Sequence, residues 1–300
     1  MPVRLKHGQL KQEIGPILYS VPALALFIVF FVVPAFLSIY YSLFQWNGID
    51  RVMQFVGLRN YYELMRDQRF WSSVRITLQV VVYSGLPQMV FALFIATLLV
   101  SRRPGMRILR NVMFIPQMLS IAAVGMIWLM AFNPYYGLIN MLIESIGLEQ
   151  TRIAWLGDTK IALLSMCFVT TWMYFGFHMI LFLAAMSNLP HEVLEAAKLE
   201  TNSGLMVFSY VTLPLLRETL LVSAVFIFTG TFGALIGLYW AMTQGGPIQS
   251  TELIGIYMYK QSFSWNRIGY ASAIATVMVV ILGLVISIPI KVMTRDTIEY

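Results

Sequence analysis

Apolar residues in this chain come in long unbroken runs, without the alternation or the three-to-four spacing of a soluble fold. No Asp, Glu, Lys or Arg occurs at 14–49, 76–101, 111–143, 161–190, 219–251 or 268–290. A helix needs about 20 apolar residues to cross a hydrocarbon core, and each run supplies them. The pattern predicts an all-α polytopic membrane protein with six transmembrane helices, at about 17–44, 76–100, 112–132, 162–185, 219–241 and 269–290. The first run is too long for a secretory signal and has no small-residue cleavage site, so it is read as a helix. Pro22 and Pro34 within it are kinks that membrane helices tolerate when neighbours satisfy the freed carbonyls.

The polar intervals set orientation. The 101–110 loop carries Arg102, Arg103, Arg107 and Arg110 with no acid. The 1–16 tail adds Arg4, Lys6 and Lys11, and the 291–300 tail adds Lys291 and Arg295. Positive charge marks the cytoplasmic side, which predicts that both termini are cytoplasmic. The 45–75 loop opposes this with Arg51, Arg59, Arg66, Arg69 and Arg75, but it also holds Asp50, Glu63 and Asp67 and is long enough for a surface helix. The 186–218 loop, cytoplasmic on this topology, is not positive: Lys198 and Arg217 face Glu192, Glu195, Glu200 and Glu218. Within it Pro190 suits a helix start, and HEVLEAAKLE reads as two to three turns with Val193, Leu194 and Ala197 on one face. TNSG is turn chemistry. LMVFSYV reads as a second short helix ended at Leu213-Pro214, since a residue before proline avoids the helical region. Such a pair either lies on lipid headgroups or meets a protein partner.

Composition narrows the function. The 300-residue chain is 59% hydrophobic and 11% charged, against about a quarter charged in soluble domains. Its net charge of +6 is scattered at membrane edges, which fits anionic headgroups and not nucleic acid. The single cysteine, Cys167, excludes an internal disulfide and a cysteine-based metal cluster, and reads as a small buried hydrophobe. His7, His178 and His191 are too dispersed for a membrane enzyme's catalytic cluster. A proton-driven carrier needs ionisable groups at membrane depth. The spans offer only His178, better read as a buried, hydrogen-bonded histidine than as a relay. No internal repeat favours an ion-coupled carrier, and no phosphate-binding G-x-x-x-x-G-K-[ST] loop is present. A transporter of this kind borrows its energy from a partner. Gly233 and Gly237, four apart, read as close helix packing in preference to a direct substrate role.

Glu195-Ala196-Ala197, followed at fixed distance by Val211-x-Leu213-Pro214, resembles the EAA loop of binding-protein-dependent ABC importer permeases. MTQGGPIQST at 242–251, Tyr257, Tyr259, Phe263, GYASA at 269–273, FVGLRNYYELMRDQRFW, FIPQMLSIAAVGMIWLMAFNPYYGLIN and WLGDTK resemble the carbohydrate-uptake branch, over about 16–290. This resemblance implies an ABC type I importer permease fold in a prokaryotic inner membrane. The 186–218 loop then couples to an ATPase through Glu195, Ala196, Ala197, Lys198, Glu200, Thr201, Asn202, Gly204, Leu213 and Pro214. Thr201 stands where the family has glycine, so Asn202 or Gly204 is expected to take the positive-φ role. The implied partners are a second permease subunit forming a heterodimer, two copies of a cytoplasmic ABC ATPase, an extracytoplasmic solute-binding protein, the sugar and membrane lipids. This chain binds no cofactor; ATP and Mg belong to the ATPase. In the resembled subunits sugar lies near mid-membrane between later helices, where aromatic rings stack on its C–H faces. Candidates are Trp172, Tyr174, Phe177, Phe232, Tyr239, Trp240 and Tyr270, although each taken singly suits packing. Gly245, Gly246 and Pro247 form an outer turn, a contact for the binding protein, or a re-entry toward the pore. Without Arg or Lys in the spans, a neutral di- or oligosaccharide is favoured over glycerol 3-phosphate.

Overall fold

The computed structural model describes residues 19–100, 104–147 and 152–295. Arg4, Lys6, Lys11, Arg102 and Arg103, on which the orientation partly rests, lie outside them. Among the described residues, four helices are each long and apolar enough to cross a membrane, and up to six spans result if each of two bent pairs counts as one. The chain divides into two compact units. One runs to Arg66 and includes Tyr259–Val279; the other is Asp67–Met258 with the residues from Val280.

In the first unit, α1 (Tyr19–Tyr41) has none of its most apolar window buried. It leads into a hairpin of β1 (Phe44–Gln45) and β2 (Gln54–Phe55), antiparallel with Phe44 opposite Phe55. The amphipathic α2 (Arg59–Arg66) then buries Asn60 and Leu64. Asn60 Nδ2 donates to the Ser42 and Phe44 carbonyls at 2.7 and 3.0 Å, tying α2 to the end of α1. Arg267 Nη2 bridges Glu63 Oε1 at 2.6 Å. The 45–75 stretch is therefore a hairpin and a helix, followed by a further helix that starts at Gln68.

The second unit is built on α3 (Gln68–Val100), α4 (Met106–Met118), α5 (Ile121–Ala131), α6 (Leu138–Ser145) and α7 (Ala162–Ser187). It continues with α8 (His191–Glu200), α9 (Gly204–Leu215), α10 (Arg217–Phe232), α11 (Ile236–Met242) and α12 (Ile254–Tyr259). The final helix, α13 (Ile268–Arg295), begins in the first unit and ends in the second. Helices α3 and α7 pack side by side. Ala92 and Ala96, one turn apart and fully buried, let α3 approach Met179 and Phe182 of α7. A larger cluster joins Ile76, Val80, Val124, Met166, Val169, Leu238 and Ile256.

Several expected spans prove shorter, longer or broken. The second begins at Gln68, where Asp67 Oδ1 accepts from the Arg69 and Phe70 amides at 2.9 and 3.3 Å. The third is two helices, α4 and α5, crossing at 95°. Pro116 removes a helical N–H, and Leu119 and Ser120 are extended. Ser120 Oγ then restarts the helix by accepting from the Ala123 amide. The fifth ends at Phe232, because Gly233 leaves the helical region at φ −122°, and resumes as α11. Leu213 is helical at φ −63°, so α9 runs through Pro214 to Leu215, where a stop was expected.

Wide π-type turns carry helices past three prolines. Those at Ile28–Val32, Val81–Gly85 and Phe208–Thr212 each end two residues before a proline, namely Pro34, Pro87 and Pro214. A proline ring strikes the carbonyl four residues earlier. That carbonyl belongs to the middle residue of each wide turn, and widening moves it aside.

The tightest helix approaches use glycines other than Gly233 and Gly237. A Cβ at Gly233 meets only the Thr229 carbonyl at 3.5 Å, and one at Gly237 meets the Ile121 side chain at 3.6 Å, so close packing at this pair is not what the structure contains. A Cβ at Gly176 of α7, by contrast, would land on the Met113 backbone of α4. We expect Gly176→Val to cost about 1–3 kcal/mol and to lower the melting temperature of the detergent-solubilised protein, whereas Gly233→Ala leaves it within a degree or two of the parent.

Candidate translocation pathway and coupling loop

A cavity of about 180 Å3 opens among α3, α4, α7 and α10. Its polar lining is Gln88, Gln117, Thr170, Tyr174, His178 and Thr231, and its apolar lining includes Phe177, Phe226 and Ile227. No Asp, Glu, Lys or Arg lines it. Helix irregularity places these groups. Gln88 follows the wide turn Val81–Gly85 and donates through Nε2 to Ser84 Oγ at 2.5 Å. Gln117 sits at the α4 bend, and its buried Oε1 has no partner among the described residues. His178 is buried with Nδ1 2.8 Å from Ser223 Oγ, the hydrogen-bonded state expected of it. At Gly230 an added Cβ would meet nothing within 4 Å, so this glycine borders open space.

The aromatic candidates separate into two groups. Tyr174 and Phe177 line the cavity. Trp172 stacks edge-on against Trp128 at 5.4 Å, Phe232 lies against Phe228 at 5.6 Å, and Tyr239 is completely buried in the large cluster with Trp240 packed on it. Tyr270, in the first unit, is buried beneath the Arg267 guanidinium at 4.4 Å. Gln88, Gln117, Thr170 and Thr231 were not singled out from sequence. The signal was there: neutral polar residues inside charge-free runs.

Glu195, Ala196, Lys198 and Glu200 are exposed on α8, while Leu194 and Ala197 turn inward. Val193, expected on that inward face, is 40% exposed, and Leu199 is 90% exposed. The turn after α8 does not use a left-handed residue. Thr201 is extended at φ −146°, and neither Asn202 nor Gly204 has positive φ. Hydroxyls close it: Thr201 Oγ1 accepts from the Ser203 amide at 3.2 Å, and Ser203 Oγ accepts from Met206 at 3.4 Å to start α9. Threonine in the glycine position is thus accommodated by side-chain capping. Beneath the turn, Leu194, Lys198, Thr201, Asn202 and Gly204 border a cleft of about 490 Å3 shared with Thr97 and Met186. Leu213 and Pro214 lie in α9, which meets α10 at 69°, with Leu216 at the corner packed in the cluster around Phe182 and Met186.

After α11, Gly245 is buried at φ +87° and the Gly246–Pro247 peptide is cis. Thr251 Oγ1 donates to the Gly246 carbonyl at 2.6 Å and lies 2.7 Å from Thr243 Oγ1, locking the turn. Thr251 to Tyr257 are then all buried. Among them Glu252, one residue beyond a charge-free run, takes a two-pronged bridge from Arg69: Nε to Oε2 at 2.7 Å and Nη2 to Oε1 at 2.8 Å. Tyr257 donates its hydroxyl to Asp67 Oδ2, and Arg69 lies over the Tyr257 ring at 5.5 Å. Sequence alone did not reveal this network because Arg69 lies in the polar 45–75 loop and Glu252 just beyond a charge-free run, 183 positions away.

The family described as binding-protein-dependent transport system inner membrane component matches residues 88–298. A probable ABC transporter permease of Bacillus subtilis, YurN, is 34% identical over 273 residues, covering 90% of this chain and 93% of that one. The multiple sugar-binding transport system permease MsmF of Streptococcus mutans is 32% identical over 274 residues, covering 91% and 93%. The sn-glycerol-3-phosphate transport system permease UgpA of Agrobacterium fabrum is 29% identical over 274 residues, covering 90% and 91%. Among solved structures, a chain of a bacterial alginate ABC transporter, crystallised in complex with an alginate pentasaccharide-bound periplasmic protein, has the same fold. Its TM-score is 0.79 at 17% identity, with 94% of each chain covered.

The side chain of Glu252 is 1% exposed and that of Arg69 28%, so removing the carboxylate's charge takes the two-pronged bridge out of a largely buried network. Glu252→Gln is expected to destabilise the chain by roughly 3 kcal/mol, with Arg69→Met/Glu252→Met restoring much of it; thermal unfolding of the two variants side by side checks the ordering.

Proposed function

The chain belongs to the binding-protein-dependent transport system inner membrane components, and we propose that it forms half of the translocation pathway for a neutral di- or oligosaccharide. It is a permease subunit of an ABC importer, a non-catalytic membrane component. ATP and Mg reside on partner ATPase subunits, and a second permease completes a heterodimer. An extracytoplasmic solute-binding protein delivers the solute. Both termini lie in the cytoplasm, as does the 186–218 loop.

The observation that carries the substrate reading is the lining of the cavity between α3, α4, α7 and α10: amides, hydroxyls and aromatic rings without an ionised side chain. Amides and hydroxyls exchange hydrogen bonds with sugar hydroxyls, and Tyr174 and Phe177 offer faces to C–H groups. The unpartnered Gln117 Oε1 is a buried acceptor that a sugar hydroxyl satisfies. At about 180 Å3 the cavity is smaller than the roughly 300–1,000 Å3 of usual ligand pockets, which suits one wall of a pathway shared with a second permease. Glycerol 3-phosphate, the solute in the name of one relative, calls for a cation that this lining lacks.

Coupling runs through α8. Its exposed Glu195, Ala196 and Leu199 dock in a cleft of the ATPase, with the small Ala196 admitting the partner's backbone. ATPase closure moves α8, and Leu194 with Ala197 passes that movement to α9. The Leu216 corner carries it to α7 and α10, and those two helices line the cavity. The pathway then alternates between inward-open and outward-open states.

Two measurements test this. Gln117→Leu and Tyr174→Ala should each raise the KM for labelled neutral oligosaccharide uptake roughly tenfold; accumulation of sn-glycerol 3-phosphate but no neutral sugar overturns the substrate assignment. Glu195→Lys should reduce ATP hydrolysis stimulated by the loaded binding protein at least tenfold in proteoliposomes, and an unchanged rate removes α8 from the coupling path.

A further inference from the structure

Two clefts of about 520 and 500 Å3 run together along the adjoining ends of α3, α4 and α7, sharing Leu99, Arg110 and Leu183. Phe114 and Ile180 extend the apolar wall of one, and Arg107 stands at the other. Among the described residues neither Arg107 nor Arg110 has an ion pair, and both are exposed. The first turn of α4 holds no acid. The helix dipole adds to their charge here and does not offset it. The neighbouring outer face of α4 is apolar and uncovered: Ile108 is 69% exposed, Val112 49% and Ile115 50%. The clefts therefore open beside an exposed apolar helix face, with cations that have no ion pair among the described residues at the polar end.

A ligand matching both halves is part hydrocarbon and part anion. We propose that this cleft binds one anionic phospholipid, with an acyl chain along Leu99, Phe114, Ile180 and Leu183 and its phosphate held by Arg107 and Arg110. Guanidinium pairs phosphate through parallel N–H donors, which a zwitterionic headgroup satisfies less well because its own ammonium competes. The site needs only that the chain be membrane-embedded; it is independent of the solute carried. Lipid in this position wedges the ends of α3, α4 and α7 together beside the cavity-lining helices.

The test uses the full chain with whatever subunits remain attached in mild detergent, delipidated and then titrated with phosphatidylglycerol or phosphatidylcholine of identical acyl chains. Native mass spectrometry counts retained lipid. Phosphatidylglycerol should be retained roughly tenfold more strongly than phosphatidylcholine, and Arg107→Gln/Arg110→Gln should abolish that preference without lowering the melting temperature. Leu183→Trp, which fills the apolar part and keeps both charges, should also reduce phosphatidylglycerol retention; if it fails to fold, the charge variant decides alone. Equal retention of the two lipids by the parent protein overturns the proposal, as does a preference that survives in the double variant. Displacement of bound phosphatidylglycerol by excess inorganic phosphate also overturns it, by assigning the arginines to a soluble anion.

Discussion

Hydrocarbon offers no partner to a backbone N–H or C=O, so a chain crossing it must satisfy these groups from within. Helices follow, and so does a narrow set of permitted departures from them. Several of the departures have a local repair. Wide turns carry a carbonyl clear of the rings of Pro34, Pro87 and Pro214. Ser120 caps the helix that restarts after the α4 bend. At Gly233 the break is bridged by the Leu235 amide donating to the Gly230 carbonyl at 3.0 Å.

These departures create the site. A bundle of straight helices would fill its interior with side chains; here the wide turn in α3 and the bend after Pro116 free space for Gln88 and Gln117 beside α7 and α10. The cavity is polar without being charged, which suits a solute rich in hydroxyls. Charge is kept to the edges, where it is either paired, as in Arg69 with Glu252, or without an ion pair among the described residues, as in Arg107 and Arg110. Pairing fixes the loop after α11.

The proposed coupling helix lies at the opposite extreme of burial. The helix α8 has no buried residue, so its position is set by few contacts with its own chain and can follow a partner. The corner at Leu216 is fully packed against α7, so movement delivered there is not absorbed. A loosely held helix joined to a tightly held corner is the mechanical arrangement on which the proposed coupling rests.

Much of this was legible in the residues alone. Charge-free runs announced the spans, because a charge in lipid is costly enough to be excluded nearly everywhere. The order of polar and apolar blocks, with Glu195-Ala196-Ala197 and Leu213-Pro214 between them, identified the family. The hydrogen-bonded state of His178 followed from the rule that buried polar groups find partners. Other features depend on residues far apart in sequence. Pro116 and Gly233 stand in those runs, but a proline or glycine does not by itself say whether a membrane helix kinks or breaks, so 112–132 and 219–241 looked continuous. Nor does an aromatic residue declare which way it faces: Tyr174 and Phe177 reach the cavity, while Trp172, Phe232 and Tyr239 serve the core. The pairing of Arg69 with Glu252, 183 positions apart, and the hydroxyl-closed turn at Thr201 and Ser203 were decided only by folding. Sequence composition sets what lipid will accept, a property of each residue by itself; which groups then meet is a property of pairs, and the packing of helices selects those.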